Sequence, residues 1–224
     1  NANSLSLAKQ QGWRRKIDLI DTAALAALLG GVIGGMRSGL KTLPNYVAEQ
    51  VSRKIIERGA LGVSPEYLAR EIRDSFGWGL TDTMRTTRTF YEWSYHESQR
   101  AIWLSNTEFY TGWYWVSAKS PTTCVGCLTM DGTYHTLNET LDDHYNGMCE
   151  MIPATALNPN PLEGYQNGLD WFDSLTPSQQ EQILGKGKYD LWKTGKLELG
   201  DMVKRVQDET YGAMIAEKTL SELE

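Results

Sequence analysis

GWYWVSAKSPTTCVGCLTMDGTYHTLNETLDDHYNGMCEMIP, residues 112–153, is the stretch whose reading decides the fold. It holds all three cysteines of the 224-residue chain, together with two of its three histidines. Cys124 and Cys127 form a C-x-x-C pair rounded by Gly126, and His144 and Cys149 close a second short segment around Gly147. Three thiols and one imidazole are the donor set of a closed, tetrahedral structural zinc site. The flanking pattern is that of strands. Tyr114 to Ser117 alternates, Asp131-Gly132 signals a turn, and Thr133 to Leu137 can return as a partner strand. A small β unit of this length has little core of its own, so zinc would contribute directly to its folding.

Other chemistries fit some of the same residues. Cys124 and Cys127 could be a redox pair, although the βαβ context of a thioredoxin-like motif is missing. They could form a disulfide, which would leave Cys149 odd; no signal-peptide pattern opens the chain to support an oxidising compartment. A catalytic zinc site of the deaminase type needs H-x-E upstream of P-C-x-x-C. Here Glu97 follows His96 directly, and Pro121 lies three residues before Cys124. His135 is a substitute ligand by residue type, but its strand-like setting predicts a surface histidine.

The residues of this stretch resemble the phage Mu F-like head morphogenesis family, the minor head or minor capsid proteins of tailed phages. The resemblance rests on Trp113 and Trp115, on Thr123-Cys124 and Cys127, on Gly132, and on His144, Gly147, Cys149 and Pro153. Met148 stands where many members carry arginine. The tail adds Trp171-Phe172, Leu184-Gly185, Tyr189, Trp192 and Gly195, and the similarity runs from about Arg85 to Leu223. It implies a non-catalytic virion component inside the capsid near the portal vertex, made in the host cytoplasm. The implied partners are the portal protein and the major capsid protein, with self-association and contact with packaged DNA as further expectations. Ejection with the genome belongs to the same picture. A zinc-dependent enzyme, hydrolase or deaminase-like, and an ejected effector remain alternatives.

Working outward, the first 112 residues read as helical, with contacts to the portal or to neighbouring copies. Arg14 to Leu29 places Ile17, Ile20, Ala24 and Leu28 near helical spacing. Residues 23–36, AALAALLGGVIGGM, are the longest apolar run. A membrane span needs about 20 apolar residues, so a buried or close-packing helix is expected rather than insertion. Pro44 opens a helix carrying Val47, Val51 and Ile55. Ser64-Pro65 caps another carrying Leu68, Ile72 and Phe76. A long helix follows from Thr81 to about Thr107, with Met84, Arg88, Tyr91, Tyr95, Ser98 and Ile102 on one face. Its arginines and aromatics fit either a nucleic-acid stacking surface or a core stripe with solvated charges.

The Asn158-Pro-Asn-Pro161 run reads as a linker to a tail of short helices, which Trp171 and Phe172 would dock on the helical body. Thr176-Pro177 with Gln179 reads as a capping box. The expected organisation is therefore mainly α (α+β): 1–112 helical, 113–157 zinc-bound and β-containing, 158–224 a helical tail. Net charge is −6, which gives no support to a nucleic-acid-coating role. No P-loop, H-E-x-x-H, G-x-S-x-G or EF-hand pattern is present, and no carboxylate dyad is evident.

Overall fold

The computed structural model describes residues 45–60, 63–76, 80–208 and 212–223, and these form two compact units. The first contains the described residues up to Thr111, with Thr155–Pro159 returning to it. The second comprises Gly112–Ala154, Asn160–Asp208 and the chain from Gly212 onward. The segments 113–157 and 158–224, expected as separate parts, thus lie almost wholly in one unit. The helix expected at 14–29 and the glycine-rich run at 23–36 lie outside the described residues.

The first unit is built from α1 (Asn45–Ala60), α2 (Pro65–Phe76) and α3 (Leu80–Leu104), which pack on one another. Val51 and Ile55, one turn apart on α1, are buried, as are Leu68 and Ile72 on α2. This is the i, i+4 stripe that the sequence spacing predicts. Ser64 caps α2, its Oγ accepting the Tyr67 N–H at 3.3 Å. Glu71 of α2 accepts from Lys54 and Arg58 of α1 at 2.9 and 3.0 Å, and Glu66 pairs with Arg88 of α3 at 2.9 Å. On α3 the buried positions include Thr87, Phe90 and Ala101, whereas Tyr95 is exposed. Of the face expected on α3, Ile102 is buried, Arg88, Tyr91 and Ser98 are half-buried, and Tyr95 is exposed. Tyrosine covers apolar neighbours while keeping its hydroxyl wet, which makes aromatic spacing a poor guide to the core.

The second unit begins on β1 (Tyr110–Val116), the middle strand of a three-stranded sheet ordered β2-β1-β3, with β2 Tyr134–His135 and β3 Glu150–Thr155. β1 and β2 are antiparallel, with Trp113 opposite His135 and Tyr114 opposite Tyr134. Strand alternation puts Trp113, Trp115 and His135 on one face and the two tyrosines on the other. His135 stacks on Trp113 at 4.3 Å between ring centroids. It is buried, not the surface histidine expected from its strand-like setting. Its partner across the strand pair is a fully buried tryptophan, and register outweighs composition.

Short helices follow: α4 (Val125–Met130), α5 (Gly168–Asp173), α6 (Pro177–Leu184) and α7 (Lys186–Lys193). Thr176 makes the expected capping box with Gln179, and Gly185 ends α6 at φ +71°. The tail departs from the helical expectation in its last part. Val203–Asp208 and Gly212–Glu217 form an antiparallel pair, β4 and β5, with Val203 opposite Glu217. Trp171 and Phe172 do plug a core, but not on the helical body. Phe172 is buried with Val125 and Leu128 of α4, Leu184, Leu199 and Met202, and Trp171 packs against this cluster. Burying a phenylalanine contributes about 1.5–3 kcal/mol, so the tail is part of the core on which the cysteine segment rests.

Candidate metal centre

α4 begins at the first cysteine. Cys124 occupies the N-cap with extended backbone, and its Sγ accepts the Cys127 N–H at 3.3 Å. The turn before it is fixed by Ser120 and Thr123, whose Oγ1 accepts the Ser120 N–H at 2.8 Å. The C-x-x-C pair is thus the first turn of a short helix, and helical rise brings its two sulfurs to 3.4 Å without a bond. The three cysteines are free, and α4 connects β1 to an antiparallel β2, which is not the βαβ setting of a thioredoxin-like pair.

The second ligand segment comes from the chain between β2 and β3. A turn with Asn146 at φ +61° carries it, closed by the Gly147 N–H on the His144 carbonyl at 2.9 Å. His144 Nδ1 donates to the Tyr145 carbonyl at 2.9 Å, which turns Nε2 toward the thiols, 3.4 Å from Cys127 Sγ. A ring nitrogen anchored in this way leaves the other as a lone-pair donor.

The donors of Cys124, Cys127 and His144 lie within 4.8 Å of one another, as do those of Cys127, Asp143 and Cys149. Cys127 is common to both groups. The four residues expected from the sequence are therefore brought together, and Asp143 joins them. Tetrahedral bonds of about 2.3 Å to sulfur and about 2.0 Å to nitrogen imply donor separations near 3.5–3.8 Å. The 3.4 Å contacts of Cys127 with Cys124 and His144 are close to this, and Cys149 joins the cluster through Cys127, so the cluster could bind a metal ion.

Burial and mutual contact shift the protonation of all four groups. Hydrogen bonding to Cys127, with His144 close by, pulls the Cys124 thiol down to about 5. The hydrogen bond with Cys124 pushes His144 up to about 9. Cys127 is raised, through its contacts with Cys124 and Cys149 and by burial. Cys149 is raised as well: hydrogen bonding to Cys127 lowers it, but burial and the Asp143 charge outweigh that. Clustered thiols that resist losing several protons at once are the expected state of a ligand set whose charge is balanced by metal.

Two supports were not legible in the sequence. Glu217 of β5 accepts the Val125 N–H at 2.8 Å at the start of α4, and its other oxygen pairs with Lys188 at 2.6 Å. The Ile215 N–H donates to the Asp142 carbonyl at 2.8 Å, and Arg205 pairs with the Asp142 carboxylate at 2.7 Å. The β4-β5 hairpin thus holds both ligand segments. Asp143 adjoins His144 in sequence, and that adjacency of carboxylate and ligand was the available signal. Among the described residues, no helix is long and apolar enough to cross a membrane.

No protein-family profile matches the chain, and no curated protein or solved structure is significantly similar to it. The functional reading therefore rests on the site and on the residues of the chain itself.

Proposed function

We propose that this chain is a non-catalytic structural protein whose second unit is held by zinc on Cys124, Cys127, His144 and Cys149, and that it serves as a minor head protein of a tailed phage. The observation that carries the zinc reading is the convergence of three thiols and a tautomer-fixed imidazole from two separate segments into one buried cluster. Bound zinc would act as a four-way cross-link, joining the start of α4 to the turn before β3. Three thiolates and an imidazole complete a tetrahedron, which is the composition of structural rather than catalytic sites.

The head reading rests on the sequence resemblance, chiefly the paired tryptophans of β1, the C-x-x-C and the His144–Cys149 close. On that reading the protein sits near the portal inside the capsid and works by contact with the portal protein, the major capsid protein or its own copies. Contact with packaged DNA and ejection with the genome remain parts of the same proposal.

Quantitative mass spectrometry of purified particles tests the head reading. A few to about a dozen copies per particle, recovered with the portal, are expected; absence from mature particles contradicts it. The enzyme alternative separates at Cys124→Ser. A structural site predicts local unfolding of the second unit, whereas a catalytic site predicts a folded protein that has lost a measurable activity.

A further inference from the structure

We infer that Asp143 is the positioning residue of the ligand loop, a carboxylate that fastens His144 and Cys149 by their backbones while staying outside the coordination shell. This rests on the zinc reading above. One carboxylate oxygen, Oδ1, accepts the His144 N–H at 2.8 Å, and the other, Oδ2, accepts the Cys149 N–H at 3.1 Å. A single buried side chain therefore spans the six-residue segment and ties together the two ligands that α4 does not supply. Without it, the amide of Cys149 would lose this acceptor in the interior, and the turn would lose its internal brace.

Gly147 belongs to the same device. A Cβ built at that position would land on the Asp143 carboxyl group. Glycine is needed there because the carboxylate lies across the turn, not because of an unusual backbone angle.

Charge and hydrogen bonding together argue for Asp143 outside the shell. Zinc with three thiolates already carries a net −1, and a fourth anionic donor would deepen an uncompensated buried charge. The carboxylate is instead satisfied by the two amides. Its Oδ1 lies 3.5 Å from Cys127 Sγ and 3.9 Å from His144 Nε2, close enough to ligate, and it is the two backbone amides that engage both of its oxygens. Carboxylates that orient ligands in this way are worth roughly 10- to 100-fold in metal affinity.

The test is chelator competition on the full chain with zinc, together with the absorption spectrum of the cobalt(II)-loaded protein, for the native chain, Asp143→Asn, Asp143→Ala and Gly147→Ala. The expected result is a roughly 10- to 100-fold loss of zinc affinity in the Asp143 variants, with a cobalt spectrum still reporting three sulfurs and one nitrogen. Gly147→Ala should weaken binding in the native background and add little on top of Asp143→Ala. Unchanged affinity in the Asp143 variants, additive effects of the two sites, or a cobalt spectrum that changes its donor set would each overturn the proposal. A native chain that takes up neither metal would instead overturn the zinc reading on which it rests.

Discussion

At the scale of single residues, His135 shows how register gives a side chain its chemistry. It lies between Thr133, whose Oγ1 is 2.9 Å from Nε2, and Glu139, whose Oε1 is 3.4 Å from Nδ1. Burial against the tryptophans lowers its pKa, with Glu139 opposing. The folded state thus binds this proton less readily than the unfolded chain, whose histidine titrates near 6.5. Stability from the neutral ring is complete above that value and is lost as pH falls below it, down to the folded-state pKa. We predict that His135→Gln flattens the fall in denaturation midpoint between pH 7.5 and 5.5. The comparison with the native chain separates this contribution from metal loss, which lowers both. An identical pH dependence in the two proteins contradicts the assignment.

At the scale of elements, the β4-β5 hairpin and α5 carry the site. Removing the Glu217 carboxylate by Glu217→Ala takes away the acceptor for the Val125 N–H and the partner of Lys188. A loss of about 1–3 kcal/mol is expected from urea denaturation, together with weaker zinc binding, because the affected amide begins the ligand helix. Stability and affinity both at native values would show that the hairpin is a passive neighbour. Gly168 starts α5 where it crosses α4, and an added Cβ would meet the backbone carbonyl of Leu128. Backbone cannot swing away as a side-chain tip can. Gly168→Ala should therefore destabilise by about 1–3 kcal/mol, more than Thr176→Ala, which removes one exposed cap for about 1 kcal/mol. The opposite ranking in thermal melts would contradict this packing.

The same elements show what a sequence can reveal. The clustering of Cys124, Cys127, His144 and Cys149 was legible because residue type and local spacing identify soft donors without any knowledge of the fold. The helices at Asn45–Ala60 and Pro65–Phe76 were legible because their apolar residues repeat every turn and a Ser-Pro pair marks a start. The β4-β5 hairpin was not. Val203 to Asp208 alternates weakly, and its partner supplies Met214 and Ile215, apolar residues that also suit a helix. Only pairing decides between the two, and pairing is non-local. The docking of Phe172 on α4 was hidden for the same reason: an aromatic pair announces a core without saying which one. Asp143 went unread because what it does depends on two backbone N–H groups, which no side-chain pattern reveals.

At the scale of the whole molecule, the chain divides into two compact units, and only the second contains the proposed zinc ligands. Loss of the metal should therefore act locally. Hydrogen exchange of the full chain with and without chelator is expected to show lost protection in β1, α4 and the 134–154 segment. The amides of α1 and α2 should keep their protection. Uniform loss across both units would mean that the site governs the entire fold, and no change anywhere would mean that it governs none of it. A minor head protein built on this plan would present a metal-independent helical unit and a metal-dependent β-containing one, so that its contacts could be separated by chelation.

The measurement that tests the central claim most directly is native mass spectrometry of the full chain purified with zinc, beside Cys127→Ser. Cys127 is the donor shared by both halves of the cluster. The account predicts one zinc per native chain and loss of that zinc in the variant. A native chain without zinc, or a variant that retains it fully, would contradict the claim that Cys124, Cys127, His144 and Cys149 form a structural metal centre.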